Sequence, residues 1–145
     1  MNEDLKSRTF QTTRRFAANP DTVFESIADG RKLARWWGPA GFSNTFHAFD
    51  FTRGGRWKFT MHGPDGKDYE NENEFTEIEP GKRVVIRHLS QPFFELSIEL
   101  VAVSGGTKLV WTQVFDDERV AASVAHIVEP ANEQNLDRLA AVLAE

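Results

Sequence analysis

From Thr45 to Phe115 the chain alternates apolar and polar residues with a period of two, and each alternating stretch closes on a short turn signal. This pattern limits the fold more than any other feature. In "RWKFTMH", Trp57, Phe59 and Met61 alternate with Arg56, Lys58 and Thr60, and "GPDGK" follows with Pro64, Asp65 and Gly66 in the order a tight turn prefers. "YENENEF" places Tyr69, Asn71, Asn73 and Phe75 on one parity and Glu70, Glu72 and Glu74 on the other. "EPGK" at 79–82 turns into "RVVIRH", "FELSIELVAV" puts Phe94, Leu96, Ile98 and Leu100 on one face, and after "SGGT" the segment "KLVWTQVF" aligns Leu109, Trp111, Gln113 and Phe115. Parallel strands need crossovers of a dozen or more residues, which these short connections do not provide. The segment is therefore expected to form an antiparallel meander with one covered and one wet face.

Cover must come from either side of this segment. Ahead of it, "TFQTTRRFA" at 9–17 alternates around Phe10 and Phe16 as a half-buried strand would. "NPDTVFESIA" then offers Asn19 as N-cap, Pro20 at the first helical position and Val23, Phe24 and Ile27 at helical spacing, and "DGRKLARWW" offers Asp29 as a second cap with Gly38-Pro39 as the stop. Two short helices are predicted there. After the meander, residues 116–144 carry a stripe of Val120, Val124, Ile127 and Val128 continued by Leu136, Leu139 and Leu143, capped by Asp116 or Asp117. Pro130 either kinks this helix or opens a second one. Strand, two helices, six strands and a C-terminal helix give an α+β class, with the last helix covering the inner face of the sheet. The 145 residues match the size of one domain, 1–145.

Composition removes several function classes. There is no cysteine, so disulfides, thiolate nucleophiles, iron–sulfur ligation and Cys-based zinc sites are excluded. His47, His62, His88 and His126 show no HxH or HxxxH spacing, and neither metal nor cofactor is expected. With 22 Asp and Glu against 17 Lys and Arg, the chain lacks the basic surplus that nucleic acid or anionic lipid would require. No run of about 18 apolar residues is present and "MNEDLKSRTF" has no apolar signal region, so a soluble, cytoplasmic protein without stable membrane insertion is expected.

Parity also carries polar residues inward. Asn71 and Asn73 share the face of Phe75, Gln113 sits between Trp111 and Phe115, and His88 shares parity with Val84 and Ile86 at a strand end, where it is either solvated or part of a polar point. Buried amides require partners, which are each other, backbone, trapped water or a ligand. Trp36 and Trp37 stand side by side at a helix end. Consecutive helical side chains diverge by about 100°, so one indole is expected in the interior and the other at a rim. "RGG" at 53–55 lacks a Lys-Ser/Thr ending and reads as a turn or bulge into Trp57, not as a phosphate loop.

"RRF" (14–16), "PDTVFESIAD" (20–29), "WWGPAGF" (36–42), "RGGRWKFTMHGPDG" (53–66), "FTEIEPGKRVVIRH" (75–88) and "GGTKLVWTQVF" (105–115), taken in this order, resemble the START-like SRPBCC superfamily. Within it they resemble the bacterial branch named for the C-terminal domain of the activator of the heat-shock ATPase. The resemblance implies a helix-grip fold, in which a curved antiparallel sheet wraps a long C-terminal helix over an apolar pocket. It implies ligands that are lipids, polyketides or other small hydrophobic molecules, and in some members a cyclase or aromatase activity. The superfamily has no universal catalytic residues, so no catalytic residue is assigned. The activator engages its chaperone through a separate N-terminal domain, which this chain is expected to lack. Combined with parity, the implied pocket has Trp57, Phe59, Phe75, Leu96, Trp111 and Phe115 as its wall, Asn71, Asn73, His88 and Gln113 as polar points, Trp36 or Trp37 as a lid, and Val124 and Val128 on the helix side. The expected function is binding of a small aromatic, acyl or lipid-like molecule. A cyclase-like or hydrolytic enzyme, a chaperone-contacting module and a homodimer remain alternatives.

Overall fold

The computed structural model describes residues 3–145. Element order is α1 (Glu3–Ser7), β1 (Thr9–Phe16), α2 (Pro20–Ala28), α3 (Gly30–Trp36), β2 (Ser43–Phe49), β3 (Arg56–His62), β4 (Asp68–Glu79), β5 (Arg83–His88), β6 (Phe94–Val103), β7 (Gly106–Phe115) and α4 (Glu118–Leu143). The seven strands form one antiparallel sheet in the order β1-β7-β6-β5-β4-β3-β2. Only β1 reaches a partner distant in sequence, pairing Thr9 with Val114 and Phe16 with Thr107, while β2 to β7 are a run of neighbouring hairpins. Bulges between Phe46 and Ala48 and between Phe75 and Glu77 locally add to the sheet's twist. The RGG segment serves the second of these: the Gly54 N–H donates to Phe75 O and the Phe75 N–H to Gly55 O. A Cβ on Gly55 would stand 2.0 Å from Asp50 O, which reserves the position for glycine.

The helices begin where their caps allow. Asn19 Oδ1 accepts from the Thr22 N–H, Asp29 Oδ1 from the Arg31 N–H, and Asp117 Oδ1 from the Arg119 and Val120 N–H groups. The α4 helix is continuous through Pro130, whose missing N–H leaves His126 without its intrahelical donor. α1 carries no periodic apolar pattern and was not expected.

Both indoles of the Trp36–Trp37 pair are buried, contrary to the expectation that one would lie at a rim. The 100° argument applies only inside a helix, and Trp37 is the C-cap of α3 with extended backbone (φ −68°, ψ 132°), so its side chain leaves the helical path. Trp36 turns beneath α2, where its Nε1–H donates to Ser26 O at 2.9 Å, a carbonyl in the last turn of that helix. Trp37 packs edge-on against Trp57 and tilted against Trp111. Neither is a lid.

The core joins α2, α3 and the C-terminal half of α4 to the inner sheet face, with Val23, Leu33, Trp36, Trp57, Ile98, Leu109, Leu136 and Leu139 fully enclosed. Each such side chain contributes about 1.5–3 kcal/mol by leaving water. The outer face is polar: Arg56 meets Glu72 at 2.9 Å and Glu74 at 3.5 Å, and Lys58 meets Glu72 at 3.6 Å. Such exposed pairs keep the face wet and contribute about 0–1 kcal/mol each. Among the described residues no helix is long and apolar enough to cross a membrane.

Candidate functional site

The two halves of α4 are held differently. In the second half Leu136 and Leu139 are buried and two polar side chains lock the Trp-Trp-Gly-Pro turn to the helix. Asn135 accepts from the Gly38 N–H (3.2 Å) and donates to Trp36 O (2.7 Å). Arg138 donates to Trp37 O, Gly38 O, Pro39 O and Arg35 O at 2.9–3.1 Å. Arg35 lies in the last turn of α3, Trp37 is its C-cap and Gly38 and Pro39 follow it, so Arg138 caps α3 from another element and clamps the turn beyond it. In the first half only Ala121 is buried, Val124 and Val128 are half-buried, and Ile127 is 58% exposed. Ile127 therefore does not belong to the covered stripe inferred from spacing, because this half of the helix stands away from the sheet.

The space beneath it is a cavity of about 270 Å³. It crosses five strands at one end of the inner face, through Phe59, Asn73, His88, Leu96 and Trp111 among others, with Trp37 at its side and Val128 and Ala131 above. The register carries this band across the sheet: Phe59 faces Asn71, Asn73 faces His88, His88 faces Phe94, and Leu96 faces Gln113. Small-molecule sites of about 300–1,000 Å³ are typically apolar with a few convergent polar groups, and this cavity shares that lining at a volume just below the range.

His88 is buried and stacks on Phe94 with ring centroids 4.5 Å apart. Its Nδ1 faces Pro92 O at 2.8 Å, so Nδ1 carries the proton and donates. In the neutral ring Nε2 accepts, taking the Ser90 hydroxyl at 3.2 Å, while Asn71 Oδ1 lies 2.9 Å away and would gain a donor only if the ring took up a second proton. Burial, aided by the Arg87 charge, nevertheless moves the His88 pKa down from its ordinary value, against the Pro92 hydrogen bond. Gln113 Oε1 accepts from Asn132 Nδ2 at 3.1 Å, which ties the last strand to α4. Asn73 Oδ1 and Trp111 Nε1 are buried without a hydrogen-bond partner.

A family model described as Activator of Hsp90 ATPase homolog 1-like protein matches residues 17–144. The chain belongs to that family. Among solved structures, this family member is similar to a protein from Arthrobacter aurescens (24% identity, TM-score 0.88, covering 99% of this chain and 90% of that one). It is also similar to the AHSA1 protein from Silicibacter pomeroyi (24%, TM-score 0.77, 94% and 97%) and to the AHSA1-like protein from Aeromonas hydrophila (20%, TM-score 0.75, 94% and 95%). At these identities the likeness is one of fold, the α+β helix-grip arrangement. None of the curated proteins compared matches the chain.

In this family member nine of the residues proposed from sequence line the cavity: Trp37, Phe59, Asn71, Asn73, His88, Leu96, Trp111, Gln113 and Val128. Five do not. Trp36 lies under α2. Trp57 and Phe75 stack at 5.8 Å farther along the face, among Phe46, Phe49 and Phe51. Phe115 packs between Phe10 and Phe94, and Val124 lines a separate open groove with Pro92 and Phe93. Parity names the face but not the position along the strand, and α2 and α3 fill the other end of that face. Met61, Ile86 and Phe94, which share that parity, also line the cavity. Asn132 and Asn135 sit on the polar side of the α4 pattern, and only the helix's placement shows their role.

One hydroxyl–imidazole–carboxylate row occurs on the outer face, where His62 reaches Thr45 Oγ1 at 2.7 Å through Nε2 and Asp68 at 2.8 Å through Nδ1. It runs over open, solvated strands on the opposite side of the sheet from the cavity, and works as a cross-strand polar ladder.

Proposed function

We propose that the cavity between the sheet and the first half of α4 binds a small, mainly apolar molecule of aromatic or short acyl character. The supporting observation is an apolar concavity lined by Trp37, Phe59, Phe94 and Trp111, with amides at a few points and a helix segment above it that buries little of its own surface. The START-like resemblance implies a pocket between the same elements. Chemically the lining supplies walls and dipoles: His88 has both ring nitrogens engaged, which suits holding a ligand better than abstracting a proton from one.

Titration with 4-nitrotoluene, an uncharged nitroaromatic quencher, tests this reading. Trp37 and Trp111 border the cavity, so tryptophan emission should fall along a saturable curve. Ala131→Phe fills the space from the helix side and should abolish saturation while leaving the fold intact by circular dichroism. Purely linear, collisional quenching in the parent protein, or an unchanged curve in the variant, would remove the cavity as the site.

A further inference from the structure

We propose that the bound molecule is elongated: a compact apolar end fills the cavity, and an unbranched alkyl or acyl chain leaves it to lie in the surface groove between the 89–93 turn and the first half of α4. This rests on the cavity being a binding site and adds a second subsite to it.

Two observations carry the inference. First, the cavity reaches the surface where the groove begins. Pro92 and Ile127 both line the cavity, yet both are exposed, Ile127 at 58%. Pro92 also lines the groove, whose walls are Gln91, Pro92 and Phe93 on the turn and Val120 and Val124 on the helix. Val128 beside the cavity and Val124 beside the groove are four residues apart on one face of α4, so a chain that passes between Pro92 and Ile127 continues along the same valine stripe.

Second, the groove leaves apolar surface in water. Phe93 is 41% exposed, and Val120 and Val124 are only half-buried. A hydrocarbon chain laid there removes that surface from water together with its own. The stripe from Val128 to Val120 covers eight residues of helix, roughly 12 Å, which suits a chain of medium length. Asp116 and Asp117 close the far end, their carboxylates already taken by Arg87 and by the first N–H groups of α4. The cavity of about 270 Å³ is small for a complete ligand site, and the adjoining groove of about 500 Å³ brings the whole within the usual range.

The test is tryptophan-quenching titration with three 4-alkylnitrobenzenes, the methyl, propyl and hexyl compounds. Full burial of a methylene tightens binding about fourfold, and a half-open groove should return about twofold for each, so the hexyl compound should bind about thirtyfold tighter than the methyl one. Val124→Asp and Phe93→Ser, both at partly exposed positions, should each cut this advantage to less than about fivefold. Both variants should bind the methyl compound within about twofold of the parent, which also shows that they are folded. In Ala131→Phe the hexyl compound should lose saturable binding along with the methyl one, because one molecule spans both spaces. Equal hexyl and methyl affinities in the parent, or a hexyl advantage that survives both groove variants, would overturn the placement of the chain and leave the cavity reading standing. Saturable hexyl binding retained in Ala131→Phe would make the groove a site of its own and overturn the single-ligand claim. If the methyl compound quenches only linearly, the cavity reading fails and this inference with it.

Discussion

His88 shows how one side chain can make the molecule sensitive to acid. Desolvation favours its neutral form in the folded state, so the folded pKa lies below the ordinary value of 6.5. As pH falls, the unfolded chain therefore takes up the proton first. The stabilising difference is complete above about pH 6.5 and is lost as pH drops from there through the folded value. Thermal melts at pH 7.5 and 5.5 should show a larger fall for the parent than for His88→Gln, and equal falls would contradict the account. The adjoining Arg87 pairs with Asp116, at 2.7 Å through Nη1, and holds that carboxyl below its usual range, so the Arg87–Asp116 pair does not titrate within this interval. Reading His88 from sequence left two options open because it stands at a strand end. The outcome depended on the 89–93 turn, where Ser90 and Pro92 fold back on the ring, and no periodicity describes such a turn.

At the scale of elements, α3 and α4 meet through Arg138. Its guanidinium serves four carbonyls spread over Arg35 to Pro39, and burial lowers its pKa from the ordinary value without any carboxylate to compensate. Arg138→Met keeps much of the stem and strands those carbonyls, so unfolding free energy should fall by about 1–3 kcal/mol, measured by urea denaturation. Arg138→Lys should recover only part, since a single ammonium cannot span the same acceptors. A loss below about 0.5 kcal/mol for the methionine variant would show that water replaces the guanidinium without penalty. The short strands, the caps at Asn19, Asp29 and Asp117 and the place of the C-terminal helix were all legible from period and turn chemistry. The Asn135 and Arg138 contacts were not, because a polar residue on an amphipathic helix looks solvated until the opposing turn is in place.

For the whole molecule, residue pattern named the covered sheet face, and the START-like resemblance supplied the cavity that pattern alone does not require. The division of that face into a packed end and a hollow end depends on where two short helices dock, which one-dimensional spacing does not encode. Hence Trp57 and Phe75, expected in the site, belong to the core, while Met61 and Phe94 on the same face line the cavity. The strand order has a consequence of its own, for the time course of folding. β2 to β7 close by local hairpins, whereas Thr9 must find Val114, so β1 carries the largest loop-closure entropy in the sheet. β1 should therefore dock after the rate-limiting barrier. Phe10, edge-on to Phe115 at 5.7 Å, is a suitable reporter. In chevron experiments Phe10→Leu should accelerate unfolding and barely slow refolding, a φ-value of about 0–0.3, whereas Ile98→Val in the β6–β7 hairpin should slow refolding by a larger share of its destabilisation. Equal values at both positions would mean that the two edges of the sheet close together.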